Sequence, residues 1–276
     1  MKIIVVTGGA GFIGSNLIEQ LLKNTKHNII SLDDYSCGSK KNHILSSRVK
    51  YIKGSTKNFQ TIFNSLKKKI DTIFHFGEFS RIAQSFKLKK KCLDSNIVGS
   101  HAVISFCLEN NIRIIYSATS AVLGNENAKN LSPYAFSKYT NLNLIINLNK
   151  WFGLKYEIVY FYNVFGRRQI KNKYMAAVVG IFESQYHKNK FLTVVRPGTQ
   201  KRNFTNVLDV IDCCVFVYKK KLNRHYSIHN KKNISLLKLA KLFSCKIQFI
   251  KERPGERFKS RFVTCTRTVN IKMYFD

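Results

Sequence analysis

The stretch TGGAGFIGSNL follows the apolar run IIVV and contains three glycines at a spacing of three residues, between a predicted strand and a predicted helix. Glycine has no Cβ, so these positions permit a tight turn and let the backbone come close to a pyrophosphate. The helix that follows would present free N–H groups and the positive end of its dipole to the phosphates. In this context the pattern predicts a dinucleotide-binding turn. Its expected cofactor-binding residues are Gly8, Gly11, Phe12, Ile13 and Gly14.

An acidic pair closes the next predicted strand, in the stretch IISLDDYS. A carboxylate at this point accepts hydrogen bonds from both hydroxyls of a ribose, and it repels a 2′-phosphate. Asp33 or its neighbour Asp34 fills this role, and we take Asp33 as the cofactor-binding residue. The predicted cofactor is therefore NAD rather than NADP.

Apolar runs typical of strands alternate with segments in which apolar residues recur every three or four positions. The predicted strands are Lys2–Thr7, Asn28–Leu32, Val49–Lys53, Thr72–Phe76, Arg113–Ser117 and Tyr156–Tyr162. The predicted helices between them are Phe12–Leu22, Thr61–Lys68, Leu93–Asn110 and Ala135–Trp151. This alternation predicts an α/β fold: a Rossmann doubly wound parallel sheet with helices on both faces.

Beyond Tyr162 the alternation becomes less regular. Helices are predicted at Tyr174–Tyr186, Val207–Lys219 and Leu236–Phe243, and short strands at Leu192–Val195 and Ile247–Ile250. We therefore expect an NAD-binding Rossmann domain over residues 1–165 and a smaller C-terminal substrate-binding lobe over residues 166–276. The helix near residues 207–220 is expected to pack with the Rossmann domain.

The formal net charge of +32 raises the question of a nucleic-acid partner. Lysine is spread along the whole chain beside abundant Asn and Ile, as an AT-rich coding bias would produce, and no nucleic-acid-binding motif is present. We therefore expect no nucleic-acid partner. The seven cysteines lack metal-ligand spacing, which predicts reduced thiols and no metal site. Apolar runs are too short for a membrane span and no signal peptide is evident, so a cytoplasmic protein is expected.

The stretch PYAFSK places Tyr134 and Lys138 four residues apart, on one face of a helix. A nearby ammonium stabilises tyrosinate, which makes tyrosine a usable acid or base near neutral pH. Tyr186 and Lys190 have the same spacing. Tyr134, however, comes after a predicted strand end that carries several hydroxyl residues, in RIIYSATSAVLG, whereas Tyr186 follows a helix in the less regular half. We interpret Tyr186 as a surface residue.

Nine stretches occur in an order that is characteristic of one family: TGGAGFIGSN, LDDYSCGS, DTIFHFGEFS, SNIVGS, YSATSAVLG, SPYAFSK, YFYNVFG, GTQKRNFTNVLDV and ERPGE. Over residues 1 to about 260 the sequence resembles the extended short-chain dehydrogenase/reductases of the NAD-dependent nucleotide-sugar epimerase/dehydratase family. The resemblance implies a catalytic triad of Thr119, Tyr134 and Lys138. It also places Asn96, Tyr134 and Lys138 among the cofactor-binding residues, with Asn96 supporting the cofactor-side helix. The substrate-binding residues that it implies are Asn163, Arg202, Arg253 and Glu256. It also implies a homodimer formed through the helices near Leu93–Asn110 and Ala135–Trp151.

Members of this family oxidise a sugar hydroxyl at C4, and they differ in the next step. Dehydratases expel water with an Asp–Glu pair directly after the catalytic hydroxyl residue, but Ser120 and Ala121 follow Thr119 here. Neither side chain serves as a carboxylic acid or base. The resemblance therefore implies C4 epimerisation of a nucleoside-diphosphate sugar through a 4-keto intermediate, as in UDP-glucose 4-epimerases.

A 4,6-dehydratase or a reductase of the same family is the alternative. A non-catalytic, truncated NAD-binding homologue is another, because the chain ends in CTRTVNIKMYFD rather than in a helical tail. A further departure lies after the His75 motif, where the usual cofactor-side alanine is replaced by Gly77 and is followed by Glu78.

Overall fold

A parallel sheet of eight strands forms the centre of this computed structural model. The structure describes residues 2–123, 131–171, 174–230, 232–256, 262 and 268–270. In chain order the strands of the described part are β1 (Ile3–Thr7), β2 (Asn28–Asp33), β3 (Val49–Lys53), β4 (Ile70–His75), β5 (Arg113–Thr119), β6 (Tyr156–Phe161), β7 (Val164–Phe165), β8 (Leu192–Val195), β9 (Lys201–Arg202), β10 (Thr205–Asn206), β11 (His225–Ser227), β12 (Ile234–Ser235), β13 (Ile247–Ile250) and β14 (Thr268–Asn270).

Helices connect most of these strands. In the described residues the α-helices are α1 (Phe12–Asn24), α2 (Phe59–Phe63), α3 (Ile82–Lys87), α4 (Lys89–Leu93), α5 (Ser100–Glu109), α6 (Pro133–Phe152), α7 (Val178–Tyr186), α8 (Val207–Lys220) and α9 (Leu236–Lys241). A 3₁₀ segment, Asn64–Lys69, continues α2, and a π-helical segment, Asp94–Gly99, precedes α5.

The strand order across the large sheet is β14–β11–β6–β5–β4–β1–β2–β3, and every neighbouring pair is parallel. The chain runs outward from β1 to one edge through β2 and β3, then continues on the other side of β1 with β4. In such a sheet, ligands bind at the carboxyl ends of the strands where this reversal occurs. The Rossmann doubly wound sheet expected from the sequence is thereby confirmed.

Apolar side chains cover both faces of the sheet, as a parallel sheet between two helical layers requires. Val5, Ile73 and Ile114 belong to the core on one face, together with residues of α2, α5 and α6. Ile4 and Val6 belong to the core on the other face, together with residues of α1 and α8. This alternation explains why the central strands are continuously apolar in the sequence.

A separate, smaller core is formed by α7, β8 and α9, around Phe182, Leu192 and Leu239. The chain also returns to the large sheet after residue 166, because β11 pairs with β6 and α8 packs against α1. The division of the chain at residue 165 stays a prediction. The greater part of the terminal stretch CTRTVNIKMYFD lies outside the described residues.

Three predicted helices differ from the observed ones. The predicted helix Thr61–Lys68 is α2 and the 3₁₀ segment that follows it, and the predicted helix Leu93–Asn110 contains the π-helical segment. In that segment a Cβ on Gly99 would lie 2.3 Å from Thr56 Oγ1, so a close tertiary approach accompanies the irregular turn. The helix expected from Tyr174 begins only at Val178.

Among the described residues no helix combines the length and the apolar character that a membrane span requires. The cysteines in this part of the chain are all free thiols, and four of them are buried.

Candidate active site

The glycine turn lies between the ends of β1 and β4. Gly8 has a φ of +70°, and a Cβ on it would lie 2.9 Å from Gly77 Cα. A Cβ on Gly14 would lie 2.2 Å from the Gly8 carbonyl oxygen. Helix α1 begins directly after Gly11 and has no side-chain cap, so the N–H groups of its first turn are available to a phosphate. These features fit the pyrophosphate of a dinucleotide.

Asp33 ends β2 beside this turn and is 7% exposed. Its carboxylate accepts hydrogen bonds from the N–H groups of Ala10 (3.0 Å) and Tyr35 (2.8 Å). Burial raises the pKa of Asp33, and the two N–H donors oppose that rise. Asp34 is exposed and accepts a hydrogen bond from the Ser36 N–H (2.8 Å). Of the two acids, the buried Asp33 is therefore the one that is fixed against the glycine turn.

A cavity of about 1110 Å³ opens at the carboxyl ends of the sheet strands. Its volume exceeds the range of about 300–1,000 Å³ that is usual for a site holding one small ligand, so it suits a dinucleotide and a second ligand together. The residues of the sequence-based assignment that line it are Gly8, Gly11, Phe12, Ile13, Gly14, Asp33, Thr119, Tyr134, Lys138, Asn163, Arg202, Arg253 and Glu256.

The Tyr134–Lys138 pair lies on the first two turns of α6. The helix begins at Pro133, and the Ser132 hydroxyl oxygen caps it by accepting the Ala135 N–H at 3.1 Å. Tyr134 is 8% exposed. Lys138 Nζ donates to the Ser117 carbonyl oxygen on β5. Since β5 ends at Thr119, this contact brings α6 against the strand that carries the predicted hydroxyl residue.

Lys138 is also paired with a buried carboxylate that was not assigned to the site from the sequence. Its Nζ donates to Glu78 Oε2, and the two side chains are 4% and 2% exposed, respectively. Arg81 also lines the cavity, and its Nε donates to the Met175 carbonyl oxygen. The signal for Glu78 was its position directly after Gly77, where the His75 motif departs from the family pattern, whereas nothing local in the sequence indicated Arg81.

Asn96 does not lie on the cavity wall. It is fully buried, its Oδ1 accepts the Phe79 N–H (2.7 Å), and its Nδ2 donates to the Phe79 carbonyl oxygen (2.9 Å) and Ser137 Oγ (3.1 Å). Asn96 therefore holds the segment after β4 onto α6. This position agrees with a supporting role and not with direct contact to a cofactor.

The predicted substrate-binding residues also line this cavity. Arg202, at the end of β9, donates to Glu256 Oε1, and burial lowers the pKa of the Arg202 guanidinium. Asn163 Nδ2 donates to the Asn203 carbonyl oxygen (2.8 Å), and Arg253 is exposed at the cavity wall. In the part of the chain that the structure describes, no group of three His, Cys, Asp or Glu side chains could hold a metal ion.

The doubly wound sheet, the glycine turn at a helix N-terminus and the Tyr–Lys pair facing one cavity define an NAD-dependent α/β enzyme. Residues 4–229 match the NAD dependent epimerase/dehydratase family. The chain belongs to this family, and its cofactor is NAD.

Two curated relatives illustrate the range of the family. An uncharacterized UDP-glucose epimerase of Bacillus subtilis is 31% identical over 227 residues, which cover 75% of this chain and 70% of the relative. A dTDP-D-glucose 4,6-dehydratase of Bos taurus is 30% identical over 274 residues, which cover 92% of this chain and 75% of the relative. Among solved structures, UDP-glucuronic acid 4-epimerase of Bacillus cereus, in complex with UDP-glucuronic acid and NAD, superposes with a TM-score of 0.85. It is 26% identical, and the match covers 94% of this chain and 89% of that protein.

Proposed function

We propose that the protein is an NAD-dependent epimerase that inverts C4 of a nucleoside-diphosphate sugar through a 4-keto intermediate. The observation that carries this proposal is the pair of residues after Thr119. Ser120 and Ala121 are buried in the 3₁₀ turn Ser120–Leu123 at the end of β5, and they line the cavity. A hydroxyl and a methyl group do not supply the carboxylic acid and base needed to eliminate water next to a 4-keto group.

Each residue of the proposed triad has a distinct task. When bound, NAD⁺ supplies the hydride acceptor for C4 and, once reduced, the hydride donor. Tyr134 takes the proton of the C4 hydroxyl and returns it, while the Thr119 hydroxyl donates a hydrogen bond to the same oxygen. Lys138 provides positive charge close to Tyr134 and Thr119. Arg202 and Arg253 bind the diphosphate, because guanidinium is the preferred bidentate partner of phosphate oxygens.

The curated relatives carry names of both reaction types, so a 4,6-dehydratase is the second candidate. The acidic residues on the described cavity wall whose partners are known weigh against a dehydratase. Asp33 accepts two backbone N–H groups, Glu78 is paired with Lys138, and Glu256 is paired with Arg202. Each of these carboxylates is already committed to a structural partner, and none is adjacent in sequence to Thr119.

Product analysis tests the proposal directly. Purified protein is incubated with NAD⁺ and a panel of UDP-, dTDP- and GDP-hexoses, and the products are examined by NMR. Inversion at C4 is the expected result. A 4-keto-6-deoxy product would establish a dehydratase instead. NAD binding without turnover of any sugar in the panel would favour a non-catalytic homologue. The Tyr134→Phe variant serves as the control for contaminating activity.

We also propose that the enzyme is a cytoplasmic homodimer. The helices expected to form the interface carry large exposed apolar side chains: Leu93, Val98, Phe136, Trp151 and Phe152. Apolar surface of this kind is characteristic of protein interfaces. Light scattering during size-exclusion chromatography should give twice the mass of one chain, and the mass of a single chain would contradict this proposal.

A further inference from the structure

Four exposed lysines lie on the wall of the cavity, and the proposed reaction gives none of them a role. They are Lys87 at the end of α3 and Lys89, Lys90 and Lys91 in α4, and all four line the cavity. Within the described part of the chain, no carboxylate forms an ion pair with any of them. We call these four residues the lysine rim.

Buried contacts on either side of the rim hold its backbone in place. The segment that carries it is closed at its base, because the Phe79 N–H donates to Ser95 Oγ (3.3 Å) and to Asn96 Oδ1 (2.7 Å). Helices α3 and α4 pack against α6, with Ser85 and Cys92 fully buried. The lysines between these two buried positions therefore stay exposed beside the cavity.

The rim accounts for the whole net charge of the described cavity wall. Nine basic and five acidic side chains line the cavity, so the formal net charge, nine minus five, is +4. The five basic side chains outside the rim equal the five acidic ones in number, with Asp94 beside the rim counted among the acids. Two of these opposite charges are in direct ion pairs, Lys138 with Glu78 and Arg202 with Glu256. Without the rim, the described wall would have no formal net charge.

The cofactor that enters this cavity is an anion, because NAD contains a diphosphate and each of its phosphates is ionised. A cleft with charge of one sign and low-dielectric walls focuses the field on an approaching ion and raises its rate of association. In about 0.15 M salt, charges more than about 8 Å away are largely screened. Most of the formal charge of +32 is spread along the chain and therefore adds little at the cavity, where the rim is the nearest excess of positive charge.

We propose that the lysine rim is an entry surface that steers the anionic dinucleotide into the cavity and raises its association rate, without holding it once it is bound. The glycine turn and the N-terminus of α1 are the partners of the bound diphosphate. An exposed charge at the edge of a site mainly changes the association rate and its salt dependence. The proposal rests on NAD as the cofactor and not on the proposed reaction.

The size of the effect follows from Coulomb's law with screening. Four unit charges that act on a doubly charged ligand at about 10 Å, in water at about 0.15 M salt, raise the association rate by about fivefold. At about 1 M salt the screening length falls to about 3 Å, so the acceleration should disappear.

The test measures NADH association by stopped-flow fluorescence with nucleotide-free protein, and dissociation by displacement with excess NAD⁺. The rim variant is Lys87→Gln/Lys89→Gln/Lys90→Gln/Lys91→Gln. At about 0.15 M salt its association rate constant should be about fivefold lower than that of the wild type, and its dissociation rate constant should stay within about twofold. A second variant with arginine at the same four positions keeps the charge and should associate at the wild-type rate.

The matched control removes four exposed lysines from the opposite edge of the sheet: Lys2→Gln/Lys26→Gln/Lys68→Gln/Lys69→Gln. Lys2 directly precedes β1, Lys26 lies between α1 and β2, and Lys68 and Lys69 directly precede β4, so all four lie at the amino ends of parallel strands. Since β1 has five residues, that edge is about 17 Å from the cavity edge. This distance is about two screening lengths, so the control should associate at the wild-type rate.

Slower association of the rim variant alone, with unchanged dissociation, supports the inference. An equal loss in the rim variant and the control would assign the effect to the overall charge and overturn it. Faster dissociation with unchanged association would show that the lysines hold the bound cofactor, and wild-type rates in the rim variant would show that they have no part in binding; either result overturns it. These rates need no sugar substrate. Absence of epimerase product with the expected rates would therefore refute only the proposed reaction, whereas product without the rate difference would refute only the steering.

Discussion

The glycine turn allows a quantitative prediction for Gly14→Ala. A Cβ at Gly14 would lie 2.2 Å from the Gly8 carbonyl oxygen, 2.8 Å from the Gly8 carbonyl carbon and 2.9 Å from Gly9 Cα. Ordinary contact begins at 3.4 Å, so the Gly8 oxygen would have to move by about 1 Å. No flexible side chain can absorb this shift, because all three atoms belong to the backbone. The Gly8 N–H is moreover bonded to the Leu32 carbonyl oxygen (2.8 Å).

Overpacking of this kind costs about 1–3 kcal/mol. Because the strain falls on the turn that would hold the pyrophosphate, we expect it to weaken NAD binding by roughly tenfold to a hundredfold, at about 1.4 kcal/mol for each factor of ten. Isothermal titration calorimetry with NAD⁺ measures the binding, and urea unfolding measures the stability of the same protein.

Gly153→Ala is the matched control. Gly153 ends α6 with a φ of +73°, and no atom lies within 4 Å of its added Cβ. This substitution should lower the free energy of unfolding by about 1 kcal/mol, because alanine is strained in the left-handed backbone conformation. It should have no effect on the cofactor turn. A folded Gly14→Ala protein that binds NAD⁺ as tightly as the Gly153→Ala protein would refute the reasoning, since the close approach at Gly8 would then be irrelevant to the cofactor.

Three further predictions concern single side chains. Tyr134→Phe should abolish turnover but leave the NAD dissociation constant within about threefold, because only one hydroxyl is removed; turnover at the wild-type rate would exclude Tyr134 as the base. Asp33→Asn should reduce the preference for NAD over NADP by about tenfold, measured as the ratio of dissociation constants, because the amide no longer repels a 2′-phosphate; an unchanged ratio would contradict the assignment. Burial lowers the pKa of His75 to about 4 from 6.5, so the unfolded chain binds more protons between these values and stability falls as the pH drops through this window. Between pH 7 and pH 5 the loss from His75 is about 2 kcal/mol in urea unfolding, and His75→Asn should show a correspondingly weaker pH dependence.

Features that depend on neighbouring residues in the chain could be predicted from the sequence. The glycine turn follows from spacing and from its position between a strand and a helix, and β1 and α1 begin within one residue of the expected positions. The shared face of Tyr134 and Lys138 follows from helical geometry alone. The second half was less predictable, because its strands have two to four residues and show too little periodicity to fix their partners.

Features that depend on distant contacts could not be predicted. Glu78 stood out in the sequence as an unusual residue, but its partner Lys138 lies 60 residues away, beyond α3, α4, α5 and β5, and no local pattern links them. Asn96 was predicted to bind the cofactor, whereas its side-chain amide forms hydrogen bonds with Phe79 and Ser137. In each case the sequence indicated an important position, and only the packing decided what the side chain contacts.

The same packing determines how the substrate side of the cavity is held. Asn163 directly precedes β7, and β7 pairs with β10, which leads into α8 on the large sheet. Asn163 Nδ2 also donates to the Asn203 carbonyl oxygen, one residue beyond Arg202. These contacts hold Asn163 against the segment 203–206, which leads into α8 on the large sheet. Asn163 therefore follows β6 at a point that is held from both sides, and β6 pairs with β5, the strand whose Ser117 carbonyl oxygen accepts from Lys138.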